Sequence, residues 1–527
     1  MKPEPGRTMK PEPGRTMRPG PGRTESPGSA TLADALRHAA RATPDRVLLR
    51  DDANRVTCAQ LLDQATALAH ALLARMPVGS VVSFMVPNWR EAAVIYLGTT
   101  LAGMVVNPIL PSLRDHELAF ILSDAESRMI FIPHTFAGHG YAAMLDRVVR
   151  GLPSPPQVVV VRGDAGEHTA FEDLFGESTS GTLPALDPGA TRMILYTSGT
   201  TGRPKGVLHS HASLNALITQ LGEHWMIAPG DTFLVPSPIA HIGGSIYAFE
   251  CPLLLGAEAV LMQRWDPDAA VALMLEHRCS HMAGATTFLE GLLAAAQRAD
   301  TRLPDLKVFI CGGASVPPSL IRRAADYFER ACVTRVYGST EVPVTTVGSL
   351  GDVDSAADTD GRPGIADIRL VDGEIRARGP QMLAGYLHPE DNRDSFDDAG
   401  YFRTGDLGRF TDDGCLVVTG RAKDIIIRNG ENISPKEVED ILITHPQITE
   451  IAIVGVPDTR TGERACAALV PTTPPGPDVS ELRKFLADRG VAKFKAPEDV
   501  VLFEALPKNA AGKVLKHTIK AKLMEGA

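Results

Sequence analysis

Residues 58–86 read CAQLLDQATALAHALLARMPVGSVVSFMV, a helical pattern followed directly by a short apolar strand. Working outward, the same alternation recurs from about Thr31 to Thr191, where RMIFI precedes QVVVV, and continues through TFLVP, AVLM and KVFIC, each bounded by Gly, Pro or Asp. That rhythm predicts a layered α/β fold. Near Asp360 the pattern changes to hairpins: DIRLVDGEIRAR carries an Asp372-Gly373 turn signal between two alternating runs, and DDGCLVVTG has another Asp-Gly start. After GRAKD a compact α+β pattern begins, with DIIIR, a helix at SPKEVEDILITH and the strands EIAIVGV and ACAALV. Ser434 and Glu437 have capping-box spacing, and Pro435 sits at the first helical position, where its missing N–H costs nothing. The chain is therefore expected to hold a Pro/Gly-rich tail over residues 1–27, a large α/β domain over 28–421 and a small α+β domain over 422–527.

With 527 residues and 44% hydrophobic content the chain can bury a substantial core, which excludes a disordered protein. Its 53 basic and 63 acidic residues give a net charge of −10, so it has no general attraction for nucleic acid or an anionic membrane, and an anionic ligand must be bound by local design. Cys58, Cys251, Cys279, Cys311, Cys332, Cys415 and Cys466 form no CxxC pair or His/Cys cluster, which argues against a disulfide framework or zinc site and fits a reducing cytoplasm. No apolar run reaches the roughly 18 residues of a membrane span, and the N-terminus lacks the apolar core of a secretory signal. It repeats instead: MKPEPGRT, MKPEPGRT and MRPGPGRT fill residues 1–24, a basic tract expected to be disordered. A docking arm for an acidic partner, a neutral duplication and a start site set too early are the readings open for it.

The stretch YTSGTTGRPKGV, residues 196–207, surrounds one lysine with hydroxyls and glycines. Such a loop can wrap a polyanion with backbone N–H groups while its glycines remove side-chain bulk. It does not match the Walker loop, because Lys205 is preceded by Pro204 and followed by Gly206. Nor is it a dinucleotide fingerprint, because Gly199 and Gly202 lack the G-x-G start. Alone, such a loop is more often a surface turn.

Further stretches follow in order: SPIAHIGG (237–244), CGGAS (311–315), YGSTE (337–341), GYFRTGD (400–406), GRAKDIIIRNGENISPKEVE (420–439) and LPKNAAGKVLK (506–516). With the loop, they make the sequence resemble the acyl-adenylate-forming superfamily of acyl-CoA synthetases, carrier-loading adenylation domains and luciferases, over roughly residues 30–525. Within it the large domain is most similar to short- and medium-chain fatty acyl-CoA and cyclohexanecarboxylate-CoA ligases.

The resemblance implies an ATP- and Mg2+-dependent reaction in which a carboxylate attacks the α-phosphate and a thiol, coenzyme A, then displaces AMP. It assigns Thr197, Ser198, Gly199, Thr200, Thr201, Gly202 and Lys205 to the β/γ-phosphates and Glu341 to the magnesium ion, a hard cation that takes carboxylate oxygen. Thr340 would bond the α-phosphate, in the turn with Gly338 and Ser339. Tyr337 would pack on the adenine, opposite the backbone of Gly312, Gly313 and Ala314. Asp406 would accept both ribose hydroxyls, as a carboxylate can, and Arg421 would support ribose or phosphate, an interdomain salt bridge being its competing account. Lys513 would reach from a mobile small domain to the α-phosphate and carboxylate; Asn509 departs from the threonine common at its position. Lys423 matches the hinge residue, though a plain linker lysine fits composition equally, and Gly430 would enter the thiol channel after rotation.

For the acid, His241 matches a gate position, and Ile242, Gly243, Thr286 and Val342 are candidate pocket or channel walls. AGATTF (283–288), CGGAS and Val342 to Val344 are small and apolar with no charged residue, which favours a small or medium apolar or aromatic acid and argues against an amino acid, whose ammonium group would want an aspartate. The alternative is an adenylating enzyme that serves an amine or a free-standing carrier, or that activates another oxyacid such as nitrite. A homodimer and the absence of stable membrane insertion complete the expectations.

Overall fold

The computed structural model describes residues 31–525 apart from 53, 176–180, 198–202, 314, 430, 459, 510 and 511; the repeat tail lies outside them. Two large sheets carry the N-terminal part. One has eight strands, in the order Gly385–Tyr386, Lys205–Ser210, Thr191–Thr197, Val105–Pro108, Val81–Phe84, Met129–Pro133, Gln157–Val161 and Thr169–Ala170. Its centre is parallel, and the pair Thr191–Thr197/Lys205–Ser210 is an antiparallel hairpin whose connection is the phosphate-loop candidate. The other has seven strands, with Cys332–Val336, Val308–Gly312, His281–Gly284, Thr232–Val235, Glu258–Leu261 and Val47–Asp51 in parallel order and Asn54–Thr57 antiparallel at the edge.

The helix read from residues 58–75 runs Cys58–Leu73, started by Thr57, whose hydroxyl accepts the Gln60 N–H while the Gln60 side chain accepts the Thr57 N–H. It crosses helix Arg90–Leu101, in which every residue from Glu91 to Leu101 is buried. A helix apolar on all sides belongs inside a core, and this one sits in the largest hydrophobic cluster, which takes side chains from both sheets. The two helices approach closely at Gly98, where a Cβ would lie 3.0 Å from Leu68.

The expected hairpin forms between Asp367–Val371 and Glu374–Arg378, with Asp372 and Gly373 at φ 52° and 79°, the left-handed pair its turn requires. Phe402–Phe410 and Leu416–Arg421 complete a four-stranded antiparallel sheet. Beyond Arg421 a single turn, Ala422–Asp424, leads into a smaller sheet built from Ile426–Arg428, Glu431–Ile433, Ile448–Asp458, Gly462–Pro471 and Asp499–Leu502. Alternation along its long strands sends Ile453, Ala465 and Leu469 towards helices Pro435–Leu442 and Val479–Ala487, and Val454, Val456 and Ala468 towards Lys516–Glu525. A large α/β domain is thus followed by a small α+β domain with cores of its own.

The capping box expected at 434–437 does not form. Pro435 does occupy the first helical position, but the Ser434 hydroxyl donates to the Thr419 carbonyl at 2.6 Å, and Glu437 pairs with Lys495. Ser434 is drawn off because it lies against the strand leaving the large domain: a Cβ on Gly420 would stand 2.8 Å from its Oγ.

Candidate active site

Lys205 is the first residue of its strand and pairs in register with Thr197, so the two ends of the loop are fixed by the hairpin. Ser198, Gly199, Thr200, Thr201 and Gly202 lie outside the described residues, as do Ala314 and Gly430. The Lys205 ammonium is 3.4 Å from the Asp391 carboxylate and 5.0 Å from the Tyr386 ring centre, and the Tyr386 hydroxyl donates to Glu341 Oε1 at 3.1 Å. One tyrosine thus joins the phosphate-loop lysine to the carboxylate expected to meet magnesium.

Glu341 ends a turn that only small residues permit. A Cβ at Gly338 would lie 2.6 Å from the Val344 nitrogen; beside it the Ser339 N–H donates to the Val342 carbonyl and Val342 N–H to Ser339 Oγ. The Thr340 carbonyl accepts from Nε2 of His209 at 2.7 Å, which fixes the proton of that imidazole on Nε2. Gly312 ends the neighbouring strand, where a Cβ would stand 2.6 Å from the Val336 carbonyl oxygen; Gly313 follows at φ 81°.

Tyr337 donates through its hydroxyl to Asp406 Oδ2 at 2.9 Å, and Arg421 Nε lies 2.8 Å from Asp406 Oδ1. Asp406 and Arg421 are register partners in one antiparallel sheet, so the Arg421 ion pair falls within the large domain and not between domains. Lys513 comes to this cluster from the small domain. It keeps an exposed surface, as a residue in an open cleft does, yet the surrounding protein lowers its pKa, first by desolvation, then through Arg421; Asp406 and Asp424 oppose the shift. Lys423 lies close enough to add repulsion.

The lysine's loop is held by the residue that departs from the family pattern. Asn509 accepts the Lys513 N–H on Oδ1, and its own N–H donates to the Lys513 carbonyl, both at 2.9 Å. Gly512, at φ 79°, sits so close to Thr287 that a Cβ would stand 2.9 Å from its hydroxyl. Thr286 donates to the Ser315 carbonyl at 2.9 Å, tying AGATTF to the segment after Gly313.

His241 precedes the short helix Ile242–Ser245; its Nε2 is buried and has no hydrogen-bond partner among the described residues, and burial lowers its pKa. Open space lies where a Cβ of Gly243 would point. Val342, expected in the pocket wall, is instead fully buried with Val207, Leu383 and Tyr386, because the turn at Ser339 folds it back onto the sheet. A cavity of about 260 Å3 opens where strands of both large sheets end, bordered by Asn88, Arg114 and Ile239, and among the described residues none expected to hold nucleotide lines it.

The structure gathers Lys205, Asp391, Tyr386 and Glu341 in one group and Tyr337, Asp406 and Arg421 in another. An AMP-binding enzyme family model matches residues 36–387, and an AMP-binding enzyme C-terminal domain model matches 437–513. The chain belongs to the AMP-binding enzymes. It is 34% identical over 519 residues to the medium-chain fatty-acid–CoA ligase of Escherichia coli (strain K12), covering 94% of this chain and 91% of that one. Against ATP-bound MatB from Rhodopseudomonas palustris the TM-score is 0.84 at 28% identity, covering 94% and 99%; against apo MatB it is 0.74 at the same identity and coverage. The amide bond synthetase McbA from Marinactinospora thermotolerans gives 0.82 at 26% identity, covering 93% and 99%. The protein is a ligase of the AMP-forming acyl-CoA synthetase class.

Sequence reading of this AMP-binding enzyme missed Tyr386, Asp391 and His209. A histidine inside the strand KGVLHS was the available signal for the last. Burial pushes His209 down to about 4 and the adjacent His211 to about 3. Both stay neutral when folded while the unfolded chain takes up protons below about pH 6.5, so stability is lost as pH falls through that window. Thermal unfolding is expected to move to lower temperature between pH 6.5 and 4, and His209→Gln to flatten that slope. A wild-type slope in the variant would contradict the assignment.

Proposed function

We propose that the enzyme activates a small or medium apolar or aromatic carboxylic acid with ATP and passes the acyl group to coenzyme A. The carboxylate oxygen attacks the α-phosphorus, the bond to the β-phosphate oxygen breaks and pyrophosphate leaves; the thiol sulfur then attacks the acyl carbon and AMP leaves. The observation that carries this reading is the Tyr337–Asp406–Arg421 cluster, with Lys513 on a small-domain loop near enough to feel the charges of Arg421 and Asp406. A cation preorganised there would stabilise the charge that builds on the α-phosphate oxygens.

Lys205 would take the β/γ-phosphates and Thr340, its turn braced by His209, the α-phosphate. Asp406 would accept ribose hydroxyls in exchange for its bonds to Tyr337 and Arg421. Among the described residues no group of three or more His, Cys, Asp and Glu could hold a metal. Glu341 alone suits an ion shared with the phosphates, as magnesium usually is, where it would neutralise developing charge. The buried Nε2 of His241, without a partner among the described residues, and the space at Gly243 support an acid site beside the helix Ile242–Ser245. We place the domain boundary at 421/422, with Lys423 as the hinge that withdraws Lys513 before the thiol step. Among the described residues no helix is long and apolar enough to cross a membrane, and the work is assigned to the cytoplasm.

A second reading, supported by the likeness to McbA, keeps adenylation and changes the acceptor to an amine or a carrier, or the acid to another oxyacid. A pyrophosphate-release screen over carboxylic acids, with and without coenzyme A, separates the two. Acid-dependent release coupled to coenzyme A consumption is expected; release and exchange without any thiol consumption would favour the second.

A further inference from the structure

We propose that Asp391 is a counter-ion that occupies Arg203 and Lys205 when no polyphosphate is bound, and that it competes with ATP and pyrophosphate for them. This rests on the reading of Lys205 as a phosphate cation. Asp391 lies in the single turn Pro389–Asn392, with its side chain only 11% exposed. Its Oδ2 accepts from Arg203 Nη2 at 2.8 Å and its Oδ1 stands 3.4 Å from Lys205 Nζ, so one carboxylate neutralises both cations at the closing end of the loop.

The carboxylate is fixed in place. Ser395 Oγ donates to the Asp391 carbonyl at 2.6 Å, and Asn392 Oδ1 accepts the Tyr386 N–H at 2.9 Å, which ties the turn to the strand carrying the tyrosine. Tyr386 in turn lies 5.0 Å from Lys205 and donates to Glu341. The Lys205 ammonium, 14% exposed, is therefore bounded by an aromatic face and a carboxylate, and both partners are largely withdrawn from solvent screening. A polyphosphate that binds these cations must take them from Asp391 or lie beside its negative charge, and either lowers its affinity.

Competition would serve turnover. Pyrophosphate is a product that clings to paired cations, and a resident carboxylate that retakes them as it leaves lowers the barrier to release. A merely structural ion pair gives the opposite sign: neutralising Asp391 would loosen the loop and weaken phosphate binding.

The test is direct calorimetric binding of ATP and of magnesium pyrophosphate to the full-length enzyme, which needs no acid substrate. Asp391→Asn is expected to bind pyrophosphate about three- to tenfold more tightly, the size of one partly screened charge interaction, with ATP shifted in the same direction. The gain shrinks with added salt, is absent in Asp391→Glu, is reduced when Lys205→Ala is combined with Asp391→Asn and disappears when Arg203→Ala is added to that pair. Asp391→Ser, checked for its thermal transition, replaces the asparagine variant if that fails to fold. Unchanged or weaker pyrophosphate binding in the neutral variant, with Lys205→Ala still weakening it, overturns the counter-ion alone. Lys205→Ala without effect overturns the phosphate reading and the counter-ion together.

Discussion

Lys513→Ala is expected to slow adenylate formation by about 10²–10³-fold, the usual cost of removing one preorganised charge from a transition state, while ATP binding is largely kept and the thiol step from supplied acyl-adenylate partly survives. The split follows from where the lysine sits. Its loop is anchored by Asn509 and seated on Thr287, near enough to Asp406 and Arg421 to feel their charges, so under the proposed mechanism it would contribute only while the small domain is docked. Its pKa lies below that of an ordinary lysine, chiefly through desolvation, with Arg421 adding to it. As pH rises through that lowered value the cation is lost, so the alkaline limb of adenylation should fall before pH 10.4, the unperturbed value of about 10.4 for lysine, and Lys513→Arg should shift it upward. Stopped-flow measurement of each half-reaction checks this. Equal loss in both halves would contradict a role confined to one domain arrangement.

Arg192→Met is expected to destabilise the large domain by about 3–5 kcal/mol, because it strands a buried carboxylate. Arg192 is 1% exposed and Glu250 0%; they pair at 2.7 Å, and the Tyr96 hydroxyl donates to the same Glu250 oxygen at 2.7 Å. Arg192 opens the strand that runs to the phosphate loop, and Glu250 ends the helical turn Ile246–Glu250 that follows His241. The pair thereby locks the loop's strand to the helical segment that follows His241. Arg192→Met/Glu250→Met should recover most of the loss, since two apolar groups replace the pair without leaving a lone charge. Denaturant unfolding followed by Trp225, fully buried in the same core, reads both. A single variant within about 1 kcal/mol of wild type would contradict the account.

The fold was readable in the sequence wherever periodicity or turn chemistry was local. Residues 58–75 and 80–86 become the helix and strand they spell, and Asp372-Gly373 makes its hairpin. The helix Arg90–Leu101 has no polar face for periodicity to reveal. Ser434 carried a sound local cap signal that lost to Thr419, a contact that only the chain's return across the large domain creates. In the candidate site, Lys205, Glu341, Asp406 and Lys513 were visible as candidates because each stands in a distinctive stretch. Their partners were not: Tyr386, Asp391 and His209 act through residues 45, 186 and 131 positions away, separations no local pattern encodes. Val342 was misplaced for a related reason, since the bend at Ser339 decides which way it faces.

The central claim is that these segments converge on one nucleotide and that the small domain supplies its key cation. A crystal structure with a non-hydrolysable acyl-adenylate analogue tests it most directly. The account predicts the ribose on Asp406, the adenine against Tyr337 and the Lys513 ammonium within hydrogen-bond distance of the phosphate mimic. An analogue bound elsewhere, or bound there with Lys513 turned away to solvent, would contradict it.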